Sequence, residues 1–295
     1  MSILVSMSWH PGERLVQTLA GVTEQADGLI GMQQPVLMPG GAEFLAAQPW
    51  LVVGAADARG RLWASVLYGV PGFITARDPY TVHVAARPAA DDPLAGALTQ
   101  PQEVGAVVLD PRIRTRIRLN GRTVPEADGL TLALEQAYGN CPKYIATRVP
   151  AWDVTESRPA AVATDGLDDR ARELLAAADT AFVATRAPGA GGDTSHRGGR
   201  PGFLHVDGDT VTWPDYQGNN MFNTLGNLQL DDHLGLTIVD PADGTTLQLS
   251  GRAEVLWEPR RVVLRVERAV RREQLAPLTW TLERAARNPP VAARA

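Results

Sequence analysis

The sequence predicts a mainly β protein with flanking helices (α+β), built from two tandem copies of one small closed β domain. Residues 43–122 match residues 173–252 at a constant offset of 130 without a gap. Nineteen of the eighty aligned positions are identical, whereas a composition of this kind gives roughly six by chance. A repeat of this length is too long for a solenoid unit and fits a small domain.

Short apolar runs separated by Gly, Pro and Asp are the second observation. Their spacing is typical of an antiparallel barrel or sandwich, and we predict strands at 50–53, 104–109, 181–185, 234–239 and 246–249. A helical stretch precedes each strand set, at 41–47 in the first copy and at 167–178 in the second. In the second stretch the apolar residues recur at helical spacing.

The repeat also divides the chain into domains. We expect an N-terminal extension at 1–40, a first copy at 41–127, a helical linker at 128–166, a second copy at 167–285 and a tail at 286–295. The linker is predicted to start with a helix at 128–137, which ends at a Tyr-Gly-Asn stop. Its looser part is expected at 153–165.

Composition and missing motifs exclude several classes of function. The net charge is −5, and without a polybasic run neither nucleic acid nor an anionic membrane is an expected partner. The chain has no secretory start and no long apolar segment, so we expect a cytoplasmic protein. Cys141 is the only cysteine, which excludes an intrachain disulfide, a CxxC redox pair and a multi-cysteine metal site. No Rossmann, P-loop, HExxH or GxSxG motif is present.

The two copies diverge most in their polar segments. Residues 195–200 of the second copy read Ser195-His196-Arg197-Gly198-Gly199-Arg200, where the first copy has Ser-Val-Leu-Tyr-Gly-Val at 65–70. A hydroxyl, an imidazole and two guanidiniums beside glycines can hold an anion or a phosphate. The alternative is a polar hairpin edge, in which the shared Ser and Gly only shape the turn.

A second divergent segment follows at 214–224. Its candidate ligand-binding residues are Pro214, Asp215, Tyr216, Asn219, Asn220 and Asn223. Asn amides in a turn more often bond to the local backbone than to a ligand. The second copy therefore holds the predicted site, and the first copy is its degenerate partner.

Four arginines in the first copy alternate with other residues. Arg112, Arg114, Arg116 and Arg118 lie on one face of a predicted strand at 112–119. This face is either solvated, or one or two of its arginines reach an anion that the second copy holds.

These residues together resemble the pyridoxamine 5′-phosphate oxidase-related family of FMN-binding split barrels. The resemblance is closest to a two-copy branch, and it rests on Ser-His-Arg-Gly-Gly-x-Pro-Gly-Phe at 195–203 and Pro-Asp-Tyr-x-Gly-Asn-x-x-Phe-Asn-Thr-Leu-Gly-Asn at 214–227. Weaker similar stretches lie at 10–17 and 141–145. The fold implied is two tandem FMN-binding-type split β-barrels that form an intrachain pseudo-dimer.

The resemblance implies a cofactor site for FMN. In the family, an arginine two residues after a serine binds the FMN phosphate, and this pattern falls on Ser195 and Arg197. A second phosphate-binding patch, usually Ser-Arg-Lys, aligns with 218–220, where Gly-Asn-Asn stands instead. Arg116 is the expected donor from the first copy, and the pseudosymmetric site beside Val66 and Leu67 is expected to be vestigial.

The implied activity is that of a flavin-dependent oxidoreductase acting on a small organic substrate. His196 is the candidate for proton transfer, although hydrogen bonding without catalysis is an equal alternative. There are two competing functions. One is a deazaflavin-dependent reductase, and the other is a flavin- or haem-binding carrier without turnover. We expect a small molecule as partner and no metal, and a homodimer of the fused chain stays open.

Overall fold

The computed structural model describes residues 8–152, 161–274 and 277–286. Within them the chain forms two large antiparallel sheets and one small one. The helices that come before the first sheet are α1 (Pro11–Leu19), α2 (Thr23–Asp27) and α3 (Gly41–Ala46). The last of these confirms the helix predicted at 41–47. None of the described helices is long and apolar enough to cross a membrane.

The first sheet contains seven strands in the order β2-β1-β5-β6-β7-β4-β3. Strand β1 (Trp50–Ala56) is buried over nearly its whole length, because it lies between β2 and β5 and packs on both faces. The other strands are β2 (Leu62–Tyr68), β3 (Ile74–Asp78), β4 (Thr81–Val84), β5 (Gln102–Asp110), β6 (Thr115–Glu126) and β7 (Gly129–Gly139).

The segment between the copies differs from the prediction. The helix expected at 128–137 is wrong, because β7 occupies Gly129–Gly139 and pairs with β6 across a tight turn. Leu130, Leu132 and Leu134 alternate with more exposed residues, so the period is that of a strand. The remaining described linker forms strands β8 (Thr147–Trp152) and β9 (Val162–Asp165). Most of the part expected to be looser, 153–160, lies outside the described residues.

The second sheet repeats the strand order of the first. After α4 (Asp169–Ala177), its main path runs β11-β10-β14-β15-β16-β13-β12, and β9 adds to β16. The strands are β10 (Thr180–Ala187), β11 (Gly191–Gly198), β12 (His205–Asp207), β13 (Thr210–Pro214), β14 (His233–Val239), β15 (Thr246–Trp257) and β16 (Arg260–Arg272). A short helix, α5 (Asn223–Asn227), connects β13 to β14, and β17 (Leu278–Arg284) pairs with β8. The predicted strands and the predicted helix at 167–178 are confirmed.

Each sheet encloses its own apolar core, and a third cluster lies between the copies. This interface cluster includes Trp50, Val52, Val107 and Phe182, all of them buried. The edge of the Trp50 ring meets the Phe182 ring with centroids 5.4 Å apart. The two copies therefore form an intrachain pseudo-dimer with an apolar contact surface.

A repeated pair of glycines allows the two copies to approach closely. A Cβ atom added to Gly105 on β5 would lie 2.4 Å from the backbone of Asp193 and Thr194 on β11. Its equivalent at offset 130, Gly235 on β14, would meet the backbone of Trp63 on β2 at 2.7 Å. Thr194 Oγ1 donates to the Gly105 carbonyl oxygen at 2.8 Å across this contact. Backbone therefore packs on backbone in both halves of the interface.

The arginine strand predicted at 112–119 is partly wrong. Residues 111–114 form the turn between β5 and β6, where Arg114 has a positive φ of 56°, and the strand begins at Thr115. Arg112 is exposed and pairs with Asp110 at 2.7 Å. Arg116 and Arg118 are buried on the face that meets the second copy, so the solvated-face interpretation is wrong for these two.

We expect Gly105→Ala to lower the free energy of unfolding by about 1–3 kcal/mol, because the new methyl group must displace backbone atoms of β11. Gly96 is the matched control, since it also has an equivalent glycine at offset 130, and a Cβ atom there meets no atom within 4 Å. Urea unfolding measures both variants. Equal effects of the two substitutions would contradict the close-approach role.

Candidate functional site

A cleft of about 810 Å³, open solvent at its mouth included, lies where the two copies meet. Its walls come from β6 of the first copy and from β11 and the β13–α5 segment of the second. Most of the predicted site residues line it: Arg116, His196, Arg197, Gly198, Pro214, Asp215, Tyr216, Asn219, Asn220 and Asn223. The fold thus gathers both divergent segments and two arginines of the first copy, Arg116 and Arg118, at one cavity.

Three predicted residues lie outside the cleft lining. Ser195 is fully buried, and its hydroxyl is 2.9 Å from the Thr224 hydroxyl. Gly199 packs against the Phe203 ring, where an added Cβ would come within 2.3 Å. Arg200 is exposed to solvent. Ser195 and Gly199 therefore shape the segment, as the alternative interpretation of the shared residues proposed.

Two guanidiniums in the cleft have no carboxylate partner among the described residues. Arg116 Nη1 contacts His196 Nδ1 at 2.9 Å, and Arg197 Nη1 donates to the His196 carbonyl oxygen at 3.1 Å. The Nε atoms of both arginines are buried without a hydrogen-bond partner in the described part of the chain. A buried charge without a counter-charge is costly, so this arrangement favours an anionic ligand.

The electrostatic environment of these groups agrees with that conclusion. The pKa of Arg116 is lowered to about 9. Burial is the main cause of this shift, and the nearby charges of Arg118 and Arg197 contribute to it. Burial likewise lowers the pKa of Arg197; the charge of Asp215 opposes this shift, and the charge of Arg118 adds to it. An anion in the cleft would reverse these shifts because it favours the charged form of each guanidinium.

His196 is held in one tautomer by its neighbour. Because a guanidinium only donates hydrogen bonds, the His196 Nδ1 atom that faces Arg116 must accept, and Nε2 carries the proton. Burial, followed by the charges of Arg116 and Arg197, lowers the pKa of His196 well below its ordinary value. His196 is therefore a neutral hydrogen-bond donor, and Nε2 has no partner among the described residues.

The third guanidinium of the cleft, Arg118, is compensated by the protein itself. Its Nη1 atom lies 3.4 Å from Asp193 Oδ1 and donates to Tyr138 Oη and Asn223 Oδ1, both at 3.1 Å. Burial opposes the charge of Arg118, but Asp193 and Tyr138 raise its pKa above the ordinary value. Sequence reasoning treated Arg118 only as one of four alternating arginines, and it assigned nothing to Asp193 or Tyr138.

The N-terminal extension completes this buried network. Glu13 on α1 accepts a hydrogen bond from Asn223 Nδ2 at 2.7 Å. His10 caps α1 in a capping box with Glu13, and His10 Nε2 lies 2.9 Å from Asn227 Oδ1. Burial raises the pKa of Glu13 to about 7, although hydrogen bonds from the His10 backbone and from Asn223 oppose this. The similarity of 10–17 to the family was the only sequence signal for this contact.

The asparagine-rich segment divides between local and ligand-facing roles. Asn219 Oδ1 accepts from the Met221 backbone N–H at 3.1 Å, and Asn220 has a positive φ of 63°. Both amides line the cleft, but the first satisfies the turn as well. Asp215 pairs with Arg260 at 2.7 Å, so its charge is already balanced.

Aromatic side chains form one side of the cleft. The Tyr144 and Tyr216 rings lie 5.2 Å apart with an interplanar angle of 32°. Trp213 and Phe203 also line the cavity, and the Tyr216 hydroxyl is buried without a partner among the described residues. A planar aromatic ligand that carries polar edges suits such a wall.

The pseudosymmetric position in the first copy is filled by protein. Gln248, which stands at offset 130 from Arg118, donates to Asp92 Oδ2 at 3.2 Å and accepts from Arg272. Arg272 is 1% exposed and pairs with Asp91 at 3.1 Å and Asp92 at 3.5 Å. The buried cation there already has its carboxylates, in contrast with Arg116 and Arg197.

The second half of the chain matches a known protein family. Residues 167–286 match the family model described as pyridoxamine 5′-phosphate oxidase. The second barrel belongs to this family. The match contains both polar segments of the cleft, and the first barrel contributes the remaining wall through β6. No curated protein matches the chain.

Three solved structures are similar to parts of the chain. A HupZ variant from Group A Streptococcus is 15% identical, with a TM-score of 0.29, over 35% of this chain and 98% of its own. An FAD binding protein from Mycobacterium smegmatis is 14% identical, with a TM-score of 0.27, over 38% and 98%. A protein related to general stress protein 26 from Clostridium acetobutylicum is 13% identical, with a TM-score of 0.28, over 39% and 92%.

The raised pKa of Glu13 predicts a pH dependence of stability. Because the folded protein holds this proton more tightly than the unfolded chain, the free energy of unfolding should fall as pH rises from about 4.5 to 7. We expect this contribution to be about 1–3 kcal/mol and to disappear in Glu13→Gln. Urea unfolding at pH 5 and pH 8 measures it.

The exposed Glu24 on α2 provides the control, since Glu24→Gln should leave the difference between pH 5 and pH 8 as in the wild type. An unchanged difference in Glu13→Gln would show that Glu13 does not carry it.

Proposed function

We propose that the chain binds one FMN in the cleft between its two barrels and is an oxidoreductase acting on a small organic molecule. The observation that carries this proposal is the pair of guanidiniums of buried Arg116 and half-buried Arg197, which form no ion pair with a carboxylate of the described residues. A phosphate monoester supplies the missing negative charge and several acceptor oxygens. Membership of the second barrel in the pyridoxamine 5′-phosphate oxidase family supports a flavin as its carrier.

The cations of the cleft replace the family's usual second patch. Asn219 and Asn220 stand where the family has Arg and Lys, and they are neutral. Arg116 and Arg118 of the first copy line the same cavity, so the cationic contribution comes from across the pseudo-dimer interface. Arg200 and Lys143 are exposed and outside the cleft lining. Because Asp193 already balances Arg118, Arg116 and Arg197 remain as the phosphate-binding cations.

The remaining walls fit an isoalloxazine ring. Tyr144, Tyr216, Trp213 and Phe203 provide aromatic surface, while His196 Nε2 and the Tyr216 hydroxyl are unpartnered polar atoms among the described residues. These groups would meet the polar edge of the ring. The fit of the ring is inferred from the aromatic and polar character of these lining side chains.

The bound flavin supplies the two-electron redox chemistry, and the protein binds it, orients it and limits its access to water. His196 would donate a hydrogen bond from Nε2, because Arg116 fixes its tautomer. Its low pKa favours this role over that of a general acid at neutral pH. We therefore assign His196 to binding and tuning of the cofactor.

Replacing Arg197 with Gln should raise the dissociation constant for FMN by about 10- to 100-fold, because charge-assisted hydrogen bonds contribute about 1.5–3 kcal/mol. Arg200→Gln is the matched control, since it removes the same charge three residues away from an exposed position. FMN fluorescence quenching measures both constants. Equal constants for the two variants would contradict a phosphate contact at Arg197.

Titration to saturation should give one FMN per chain, because Arg272, Asp91, Asp92 and Gln248 occupy the pseudosymmetric position. Anaerobic addition of a reduced nicotinamide nucleotide should then bleach the flavin absorbance band if the protein is an oxidoreductase. Binding without bleaching by this or any other donor would favour a carrier. Retention of a deazaflavin but not of FMN would favour the alternative cofactor.

A further inference from the structure

A second cavity adjoins the cleft and is used by none of the contacts described above. It lies between α3, the β5–β6 turn and the end of β7, and it measures about 730 Å³ with its open mouth included. Its apolar lining includes Met38, Phe44, Ile113 and Ile117. We call this cavity the side chamber.

The side chamber and the cleft share a wall. Arg116 and Asn140 line both cavities. Both side-chain atoms of Asn140, Nδ2 and Oδ1, are buried and unpartnered among the described residues, as is Arg116 Nε. A polar amide that makes no bond in the protein is costly to bury. The Arg116 side chain is also buried, at 8% exposed. The shared wall therefore carries buried polar atoms that have no partner among the described residues.

The charge of the side chamber has one sign. Arg114 and Arg116 line it, and its lining contains no carboxylate. Arg114 Nη2 donates to the Pro142 carbonyl oxygen at 2.9 Å, which fixes the guanidinium, while its Nε atom is buried without a partner in the described part of the chain. The fork of Arg114 and the amide of Asn140 together offer donors to a planar, two-oxygen anion.

We propose that the side chamber binds a small organic carboxylate with an apolar body. The carboxylate meets Arg114 and Asn140, and the apolar body packs on Met38, Phe44 and Ile113. Arg116 and Asn140 would separate a ligand in this position from a ligand bound in the cleft. The role of this carboxylate as the reaction partner of a flavin rests on the proposed function. Its binding to the side chamber does not depend on that function.

Benzoate is the probe, measured by isothermal titration calorimetry on the full chain with and without FMN. Benzyl alcohol has nearly the same apolar body without the charge, and phenyl phosphate tests a larger anion. We expect benzoate to bind at least tenfold more tightly than benzyl alcohol and, in the chain whose cleft is saturated with FMN, more tightly than phenyl phosphate. Weaker or equal binding of benzoate in either comparison overturns the carboxylate assignment.

Arg114→Gln should weaken benzoate binding about tenfold and leave benzyl alcohol unchanged. Arg112→Gln is the matched control, because Arg112 lies two residues away, pairs with Asp110 and is outside the chamber lining. Asn140→Asp is a second variant, which should also weaken benzoate at least tenfold by placing a negative charge on the shared wall. Circular dichroism verifies that each variant is folded.

The proposal is overturned if Arg114→Gln and Arg112→Gln change benzoate affinity equally. It is also overturned if Asn140→Asp leaves benzoate affinity unchanged. The two hypotheses fail separately: FMN binding without benzoate binding refutes only the side chamber, and benzoate binding without FMN binding refutes only the proposed function.

Discussion

The close packing of two barrels within one chain is the constraint on which the rest of the structure depends. Gly105 and Gly235 leave no room for a side chain, so β5 lies directly on β11 and β14 directly on β2. This contact sets β6, the neighbour of β5, against β11. Arg116 thereby reaches His196 although 80 residues separate them in the chain. The cleft exists only at this junction, because neither barrel supplies all of its walls.

Placing three guanidiniums at the junction, two of them buried and that of Arg197 half-buried, creates an electrostatic problem that the protein solves only in part. Asp193, Tyr138 and Asn223 satisfy Arg118, and α1 supports Asn223 through Glu13. The N-terminal extension is thus part of the site. A Cβ atom on Gly12 would lie 2.1 Å from the Gly226 carbonyl oxygen, which shows how tightly α1 packs on α5. Arg116 and Arg197 form no ion pair with a carboxylate of the described residues, and this difference distinguishes them from Arg118.

Much of the fold and part of the site were predictable from the repeat. The offset of 130 residues, the strands and the two divergent segments all follow from comparing the chain with itself. Strand β7 was misread because Leu, Ala, Glu and Gln favour helices, which obscured an alternating pattern. Its equivalent, β16, lies beyond the matched window of 173–252. The sheet pairing between β6 and β7 overrides the local propensity.

The network around Arg118 was out of reach for a different reason. Asn223 is 105 residues from Arg118 and 210 residues from Glu13 in the chain. No local pattern encodes such contacts, since each residue type is ordinary for its element. Ser195 and Gly199 show the converse, because both lie inside the strong motif that predicted a ligand site, yet both pack within the protein and lie outside the cleft lining. A motif identifies a segment, and the fold decides which of its side chains face the cavity.

The asymmetry between the copies follows from having both barrels in one chain. Two separate identical subunits would carry the same residues at both junctions, whereas a fused pair is free to change one junction alone. Val66 and Leu67 of the first copy replace His196 and Arg197, and Gln248 of the second copy stands at the position equivalent to Arg118. Arg272 is buried there with Asp91 and Asp92 as partners. One junction has therefore become a closed ion-pair cluster, while the other retains two cations that form no ion pair with any carboxylate in the described part of the chain.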